Sequence, residues 1–202
     1  AKLLAKELNV LYLDTGAMYR ACALKALKDG VPFTDGAVEA LTPSIDLRIV
    51  YENGAQHTYL DGKDVSEEIR RPEVSMAASK ISAFSCIREK MVDMQRKIAA
   101  EQSCVLDGRD IGTVVLPNAE FKFFITADAA TRAQRRGKEL AEKGFAVDLE
   151  KLQKEIEERD RNDSTRSNSP LRRAEDAVLV DTSDMTIDEV VSYIRKKIQE
   201  KV

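Results

Sequence analysis

Tryptophan is absent from this 202-residue chain, histidine occurs once and cysteine three times. Aromatic residues make up only 5%, so there are few platforms on which nucleic-acid bases could stack. An excess of basic charge is also lacking. Lys and Arg number 32 against 35 Asp and Glu, a net charge of −3, and no global positive field argues for a nucleic-acid partner. No apolar run approaches the ~18 residues that a membrane-spanning helix requires, and no signal peptide is expected. The three cysteines, Cys22, Cys86 and Cys104, fit no metal-ligand spacing and lie in apolar surroundings. Buried, reduced thiols of a cytoplasmic protein are expected. The single histidine, His57, lies in an alternating, turn-flanked segment, which suits a sheet surface better than catalysis. Internal repeats and low-complexity linkers are missing as well.

What is present is 43% hydrophobic and 33% charged residues, the balance of a soluble globular chain. The length suits one good-sized domain or one domain with an inserted module. Charge is unevenly placed. Arg132 to Arg136 and Arg159 to Arg173 are locally basic, which favours a small anionic ligand over a polyanion.

Residues 1–8 have helical period with no capping residue in front, so the sequence enters in the middle of a helix. Val10 to Asp14 reads as a short buried strand. Thr15-Gly16 turns it into a helix to about Leu27, with Asp14 or Thr15 able to cap it. A short helix is expected near 35–41. Asp46 to Val50 and His57 to Leu60 alternate, with turn signals at Glu52-Asn53-Gly54 and Asp61-Gly62, the pattern of a small antiparallel insertion. Val74 to Ala83 and Ile87 to Ala100 are helical, with Met91 and Met94 read as core. Further strands are expected at Cys104 to Leu106, Phe121 to Ile125 and Ala177 to Asp181. Between and after them come helices from Ala127 to Lys143, stopped by Gly144, from Leu149 to about Arg166, and from Ile187 to Ile198, capped by Thr186 or Asp184. Strands alternating with helices predict an α/β fold, a parallel sheet with helices on both faces.

Chemistry concentrates where Cys104-Val105-Leu106 gives way to Asp107-Gly108-Arg109-Asp110-Ile111-Gly112-Thr113. Apolar chain stops and dense charge starts, as at the carboxyl end of a central strand, where open α/β sheets bind ligands. Gly108 and Gly112 let backbone approach a ligand closely. Arg20 follows another strand end, after Asp14-Thr15-Gly16. Arg132, Arg135 and Arg136 crowd the start of a helix, where cations oppose the helix dipole unless an anion is near. Arg159, Asp163 and Arg166, spaced i, i+4, i+7, share one helix face. A solvated ion pair explains that face about as well, yet the segment from Glu157 to Arg166 has no apolar face and suits ligand contact or motion. Guanidinium forks match phosphate oxygens, so the residues point to a phosphate-ester substrate in a crevice lined by arginines from four segments.

Three stretches taken together carry a resemblance: Leu13-Asp14-Thr15-Gly16-Ala17-Met18-Tyr19-Arg20, then Leu106 to Thr113, then Arg159-Asp160-Arg161-Asn162-Asp163 through Arg166 and Ser169-Pro170-Leu171. In order and spacing, over essentially the whole chain, they resemble bacterial cytidylate kinases, members of the P-loop nucleoside monophosphate kinase family. The resemblance implies a three-layer P-loop kinase-like core at about 1–33, 99–147 and 173–202, a CMP-binding region with the partly antiparallel β insertion at about 34–98, and a short helical lid at about 148–172. It implies transfer of a phosphoryl group from ATP, with Mg²⁺, to CMP or dCMP. By position, Ser79, Arg88 and Asp110 would read cytosine. Arg159 and Asp163 would hold the ribose, and Arg20, Arg109 and Arg166 the CMP phosphate. Thr15 would stand beside the acceptor, Arg132 and Arg136 near ATP. Arg109, Arg159 and Arg166 with Asp107 form the expected catalytic charge set. No direct protein ligand to metal is expected, although Asp107 can reach Mg²⁺ through water. The expected partners are free nucleotides, without nucleic acid or membrane, and the expected state is a cytoplasmic monomer.

Two departures stand out. Where the family often has Pro before Val-Arg, this chain has Ser85-Cys86-Ile87-Arg88. The family's glycine-rich phosphate loop, with its lysine and the strand before it, would precede the helix at Ala1. The 202 residues contain no Gly-x-x-x-x-Gly-Lys-Ser/Thr, so that loop and first strand are absent from this stretch. Alternatives are a UMP or AMP kinase or, were the loop truly missing, a non-catalytic nucleotide-binding protein.

Overall fold

The computed structural model describes residues 1–52 and 54–200. Asn53, the middle of the expected Glu52-Asn53-Gly54 turn, lies outside them. Two compact units are formed, Ala1–Ile111 and Gly112–Val202.

The first unit runs α1 (Lys2–Glu7), β1 (Leu11–Asp14), α2 (Thr15–Lys28), α3 (Asp35–Leu41), β2 (Leu47–Glu52), β3 (Ala55–Leu60), β4 (Lys63–Asp64), α4 (Pro72–Ile81), α5 (Ser85–Glu101) and β5 (Cys104–Asp107). β1 and β5 pair in parallel, with Asp14 opposite Asp107 at their carboxyl ends. The expected insertion is an antiparallel sheet in the order β2-β3-β4. His57 sits on β3 with Nδ1 2.9 Å from Asp64 Oδ2, a sheet-surface place as expected. α2 organises the core. Its Ala17, Ala21, Ala23 and Ala26 are buried, and small side chains let α4 pack closely against it. Around them Leu13, Met18, Ile69, Ile81, Ile87 and Met91 are fully buried, each stabilising the fold by roughly 1.5–3 kcal/mol. Met94 and Ile98 pack on the same cluster, so the methionine stripe of α5 is core.

The second unit contains β6 (Phe123–Thr126), α6 (Ala129–Glu142), α7 (Leu149–Thr165), β7 (Val178–Asp181) and α8 (Ile187–Gln199). β6 and β7 pair in parallel. Asp128 caps α6 by accepting from Thr131 N at 2.7 Å. Thr186 and Glu189 form a reciprocal capping box on α8. Gly144, at φ +81°, ends the α6 segment as its glycine predicts. The start of α7 folds back over α6. A Cβ on Gly137 would lie 2.6 Å from Leu149 Cδ2, so a side chain there would push the leucine aside. The unit's core is thin: Val115, Ala127, Ala133, Ala177, Val180, Val191 and Ile194. Along α7 only Asp163 is buried. Among the described residues no helix is long and apolar enough to cross a membrane.

The strands pair in parallel, β1 with β5 and β6 with β7, as an α/β fold of parallel strands and helices predicts. Two expectations need correction. β5 is not buried on both faces. It is half-buried, because among the described residues it has a strand neighbour on one edge only. Of the cysteines, all free, only Cys22 is fully buried; burial pushes its thiol up to about 12. Cys86 and Cys104 are half-exposed.

Candidate active site

In the first unit the candidate residues gather where β1 and β5 end. Asp14 is the last residue of β1 and the N-cap of α2, its Oδ1 accepting from Ala17 N at 2.9 Å. The next residue, Thr15, is buried, and its hydroxyl donates to the Asp107 carbonyl at 2.6 Å. This bond ties the start of α2 to the end of β5. Gly108 makes it possible. A Cβ there would stand 2.6 Å from Thr15 Oγ1 and 2.8 Å from Ile111 Cδ1, so a side chain would displace the hydroxyl. Arg20, on the second turn of α2, folds back over Gly16. A Cβ at Gly16 would meet both Asp14 Oδ1, at 3.2 Å, and Arg20 Nη1, at 3.3 Å. The Asp14 carboxylate and the Arg20 guanidinium thus converge over the one residue that leaves them room.

Asp107 stands opposite Asp14, and Tyr12 on β1 donates to its Oδ2 at 3.0 Å. Solvent reaches part of this carboxyl. Loss of hydration against surrounding protein, and then the negative Asp14, still push it above the usual carboxylate range, while the Tyr12 bond opposes the shift. Burial and the Asp107 charge together raise the Tyr12 phenol, so Tyr12 acts as a donor.

Arg88 and Asp110 form a second cluster. Both are buried, 3% and 4% exposed, and Arg88 Nη2 donates to Asp110 Oδ2. Arg88 Nη1 donates to the Ser82 carbonyl at 3.1 Å, and the guanidinium lies over the Tyr19 ring, 5.3 Å from its centroid. Ser79, half-buried at the end of α4, joins through its carbonyl, which accepts from the Ser82 hydroxyl at 2.9 Å. A cation in so dry a place is tolerated because a carboxylate and a carbonyl meet it. Arg109, between Asp110 and Gly108, is exposed.

In the second unit, Arg159 and Asp163 share one face of α7, whereas Arg166, expected on the same helix face, is its C-cap with extended backbone. Asp163 Oδ2 lies 3.8 Å from Arg159 Nε, and Asp163 Oδ1 lies 3.8 Å from Arg166 Nη1. Arg166 also donates from Nε and Nη2 to the Ser169 carbonyl at 2.8 and 2.6 Å. Ser169 has φ +49°, a turn that brings its carbonyl back to Arg166. Leu171 N donates to the Asp163 carbonyl at 2.7 Å. The buried acid is thus the post around which both arginines are set.

Arg132 donates to Asp160 Oδ1 and to the Ala127 carbonyl, each at 3.0 Å. Arg136 pairs with Glu139 at 2.8 Å. Arg135 donates to the Thr182 and Met185 carbonyls, fastening α6 to the loop after β7. The crowding of these cations, read from sequence as a sign of an anion, is here met by acceptors of the protein itself. No group of three or more His, Cys, Asp or Glu suited to a metal exists among the described residues.

Several site neighbours escape sequence reasoning. Tyr12 is one. Gln56 and Arg70 are others, both bonded to Asp14. Only tertiary folding brings residues 42 and 56 positions apart together, and no local pattern marks them.

Comparison with known proteins agrees over the whole length. A family model described as cytidylate kinase matches residues 1–200. Cytidylate kinase from Desulforamulus reducens is 52% identical over 194 residues, 96% of this chain and 87% of that protein. The cytidylate kinase of Caldicellulosiruptor bescii is 48% identical over 195 residues, 96% of this chain and 86% of its own. That of Lactobacillus johnsonii is 47% identical over 202 residues, 100% of this chain and 88% of its own. Parallel strand pairs flanked by helices fit the P-loop kinase fold, and the chain belongs to the cytidylate kinase family.

Proposed function

We propose that this chain transfers the γ-phosphoryl group of ATP to CMP and dCMP. The observation that carries the reading is the buried Arg88–Asp110 pair. Cytosine offers an N4 amino donor beside N3 and O2 acceptors. A carboxylate accepts from the amino group, while an arginine and the Ser79 hydroxyl donate to the acceptors. Uracil would set its O4 against the carboxylate and leave buried polar groups without partners. In the same unit, Thr15, Arg20 and Arg109 follow strand ends and suit an acceptor phosphate. In the second unit, the Arg159–Asp163–Arg166 group suits ribose hydroxyls and phosphate, and Arg132 and Arg136 suit donor phosphates. The charged segment at about 148–172 is read as the lid that keeps water from ATP.

The attacking oxygen of CMP is already anionic, so no protein base is required. Catalysis rests on positioning and charge neutralisation. Mg²⁺ would supply charge neutralisation and orientation of the donor phosphates. The residues fit it. Asp107, at the end of β5, is partly open to solvent and can meet the ion through water. One carboxylate without a closed cage suits an ion that keeps its waters.

The test is an acceptor panel with ATP and Mg²⁺. Phosphorylation of CMP and dCMP well above UMP and AMP is expected. Preference for UMP or AMP, or no binding of CMP by calorimetry, would overturn the reading.

A further inference from the structure

Asp14 is held by more than its own helix. Its main-chain N–H donates to Gln56 Oε1 at 2.8 Å, and its carbonyl accepts from Gln56 Nε2 at 3.3 Å. One side-chain amide thus bonds both main-chain polar groups of one residue, as a residue of a neighbouring antiparallel strand would, at the last residue of β1. Gln56 belongs to β3 of the antiparallel insertion. The second carboxylate oxygen, Oδ2, accepts from Arg70 Nη2 at 2.8 Å. Arg70 ends the short 3-10 turn Glu68–Arg70. Asp14 therefore has its N–H, its carbonyl and both carboxylate oxygens engaged, and two of the three contributors lie outside β1 and α2.

The position matters because Asp14 sets two things at once. As N-cap it fixes the first turn of α2 and with it Thr15. Through Oδ1 it stands beside the Arg20 guanidinium over Gly16. We propose that Gln56 and Arg70 are positioning residues for the acceptor phosphate, acting through Asp14 to hold Thr15 and Arg20 in place. The β insertion then does more than enlarge the base pocket; it reaches back to tune the phosphate end of the same nucleotide site. The inference rests on the acceptor reading above.

The contrast of CMP with cytidine tests it, since cytidine keeps the base and lacks the phosphate. Calorimetry would compare both ligands on the parent chain, Gln56→Ala, Arg70→Ala and Arg70→Lys. The two alanine variants should weaken CMP about tenfold, the order expected when oriented groups drift, and leave cytidine little changed. Arg70→Lys keeps a cation for Asp14 and should recover most of the CMP affinity. Equal loss of CMP and cytidine, or CMP affinity unchanged in both alanine variants, would overturn the proposal. Should Gln56→Ala not fold, the Arg70 pair alone decides, because that side chain is 47% exposed. A parent chain that binds no CMP would instead overturn the acceptor reading itself.

Discussion

The two units hold their arginines in opposite ways. In the first, Arg88 is 3% exposed, packed on Tyr19 and joined to a buried carboxylate, beside a core of fully buried side chains. In the second, the charged helix α7 buries one residue, Asp163, and its arginines lean on that post and on a main-chain carbonyl. A dry, packed cation has one geometry, so it can discriminate between bases. Arg159, whose side chain is 38% exposed, can be rearranged with little penalty, which suits a group that must close over a ligand and release it. The roles proposed for them, reading a base edge and holding the sugar and phosphate, would call for these two solutions respectively.

The largest break in that contrast should come from Arg88→Met. It removes the cation facing buried Asp110 and should destabilise the chain by roughly 3–5 kcal/mol, seen as a lower urea midpoint, with CMP affinity lost. A fall under ~1 kcal/mol would mean that the pair contributes no more than a solvent-exposed ion pair. Gly108→Ala comes next. Its methyl would press on Thr15 Oγ1 and Ile111, at a cost of about 1–3 kcal/mol, and CMP binding should fall while ATP binding holds.

Asp107→Asn should act in the other direction on stability. The folded state raises this carboxyl above its ordinary value, so the ionised form destabilises the native state at neutral pH. Native Asp107 regains that stability as pH falls through its folded value toward the unfolded one near ~4. The variant should therefore melt higher than the parent at pH 7, and the gap should close by about pH 4, while phosphoryl transfer drops. An unchanged melting temperature at pH 7 would contradict the lost hydration of this carboxyl and its repulsion by Asp14. The smallest effect belongs to Asp160→Ala. Its pair with Arg132 is about one-third exposed on each side, so the loss should be ~1 kcal/mol or less and shrink in salt.

Much of this site was legible in sequence because the motif residues lie at strand ends and on helix faces, where local spacing sets position. Asp14 caps α2, and Arg159 and Asp163 share a face of α7 as their spacing predicts, with Arg166 just past the helix end. Thr186 takes the cap of α8 because Glu189 completes its box. The rest depends on distant partners. That Arg135 serves two carbonyls, at Thr182 and Met185, is a matter of where a loop passes. Gln56 lies in an alternating strand like its neighbours, and nothing local sets its amide apart. Strand pairing two by two likewise depends on which edges meet, which periodicity does not encode.

The Arg88–Asp110 pair also bears on how such an enzyme could change its substrate in evolution. Altering Asp110 to suit another base would leave Arg88 buried beside a missing counter-charge, and altering Arg88 first would do the reverse. Either single step passes through a destabilised protein, whereas the double change need not. On the role proposed for this pair, base preference would be guarded by foldability as well as by selection on activity. Drift toward another pyrimidine would require two coordinated substitutions, or a prior reserve of stability elsewhere in the chain.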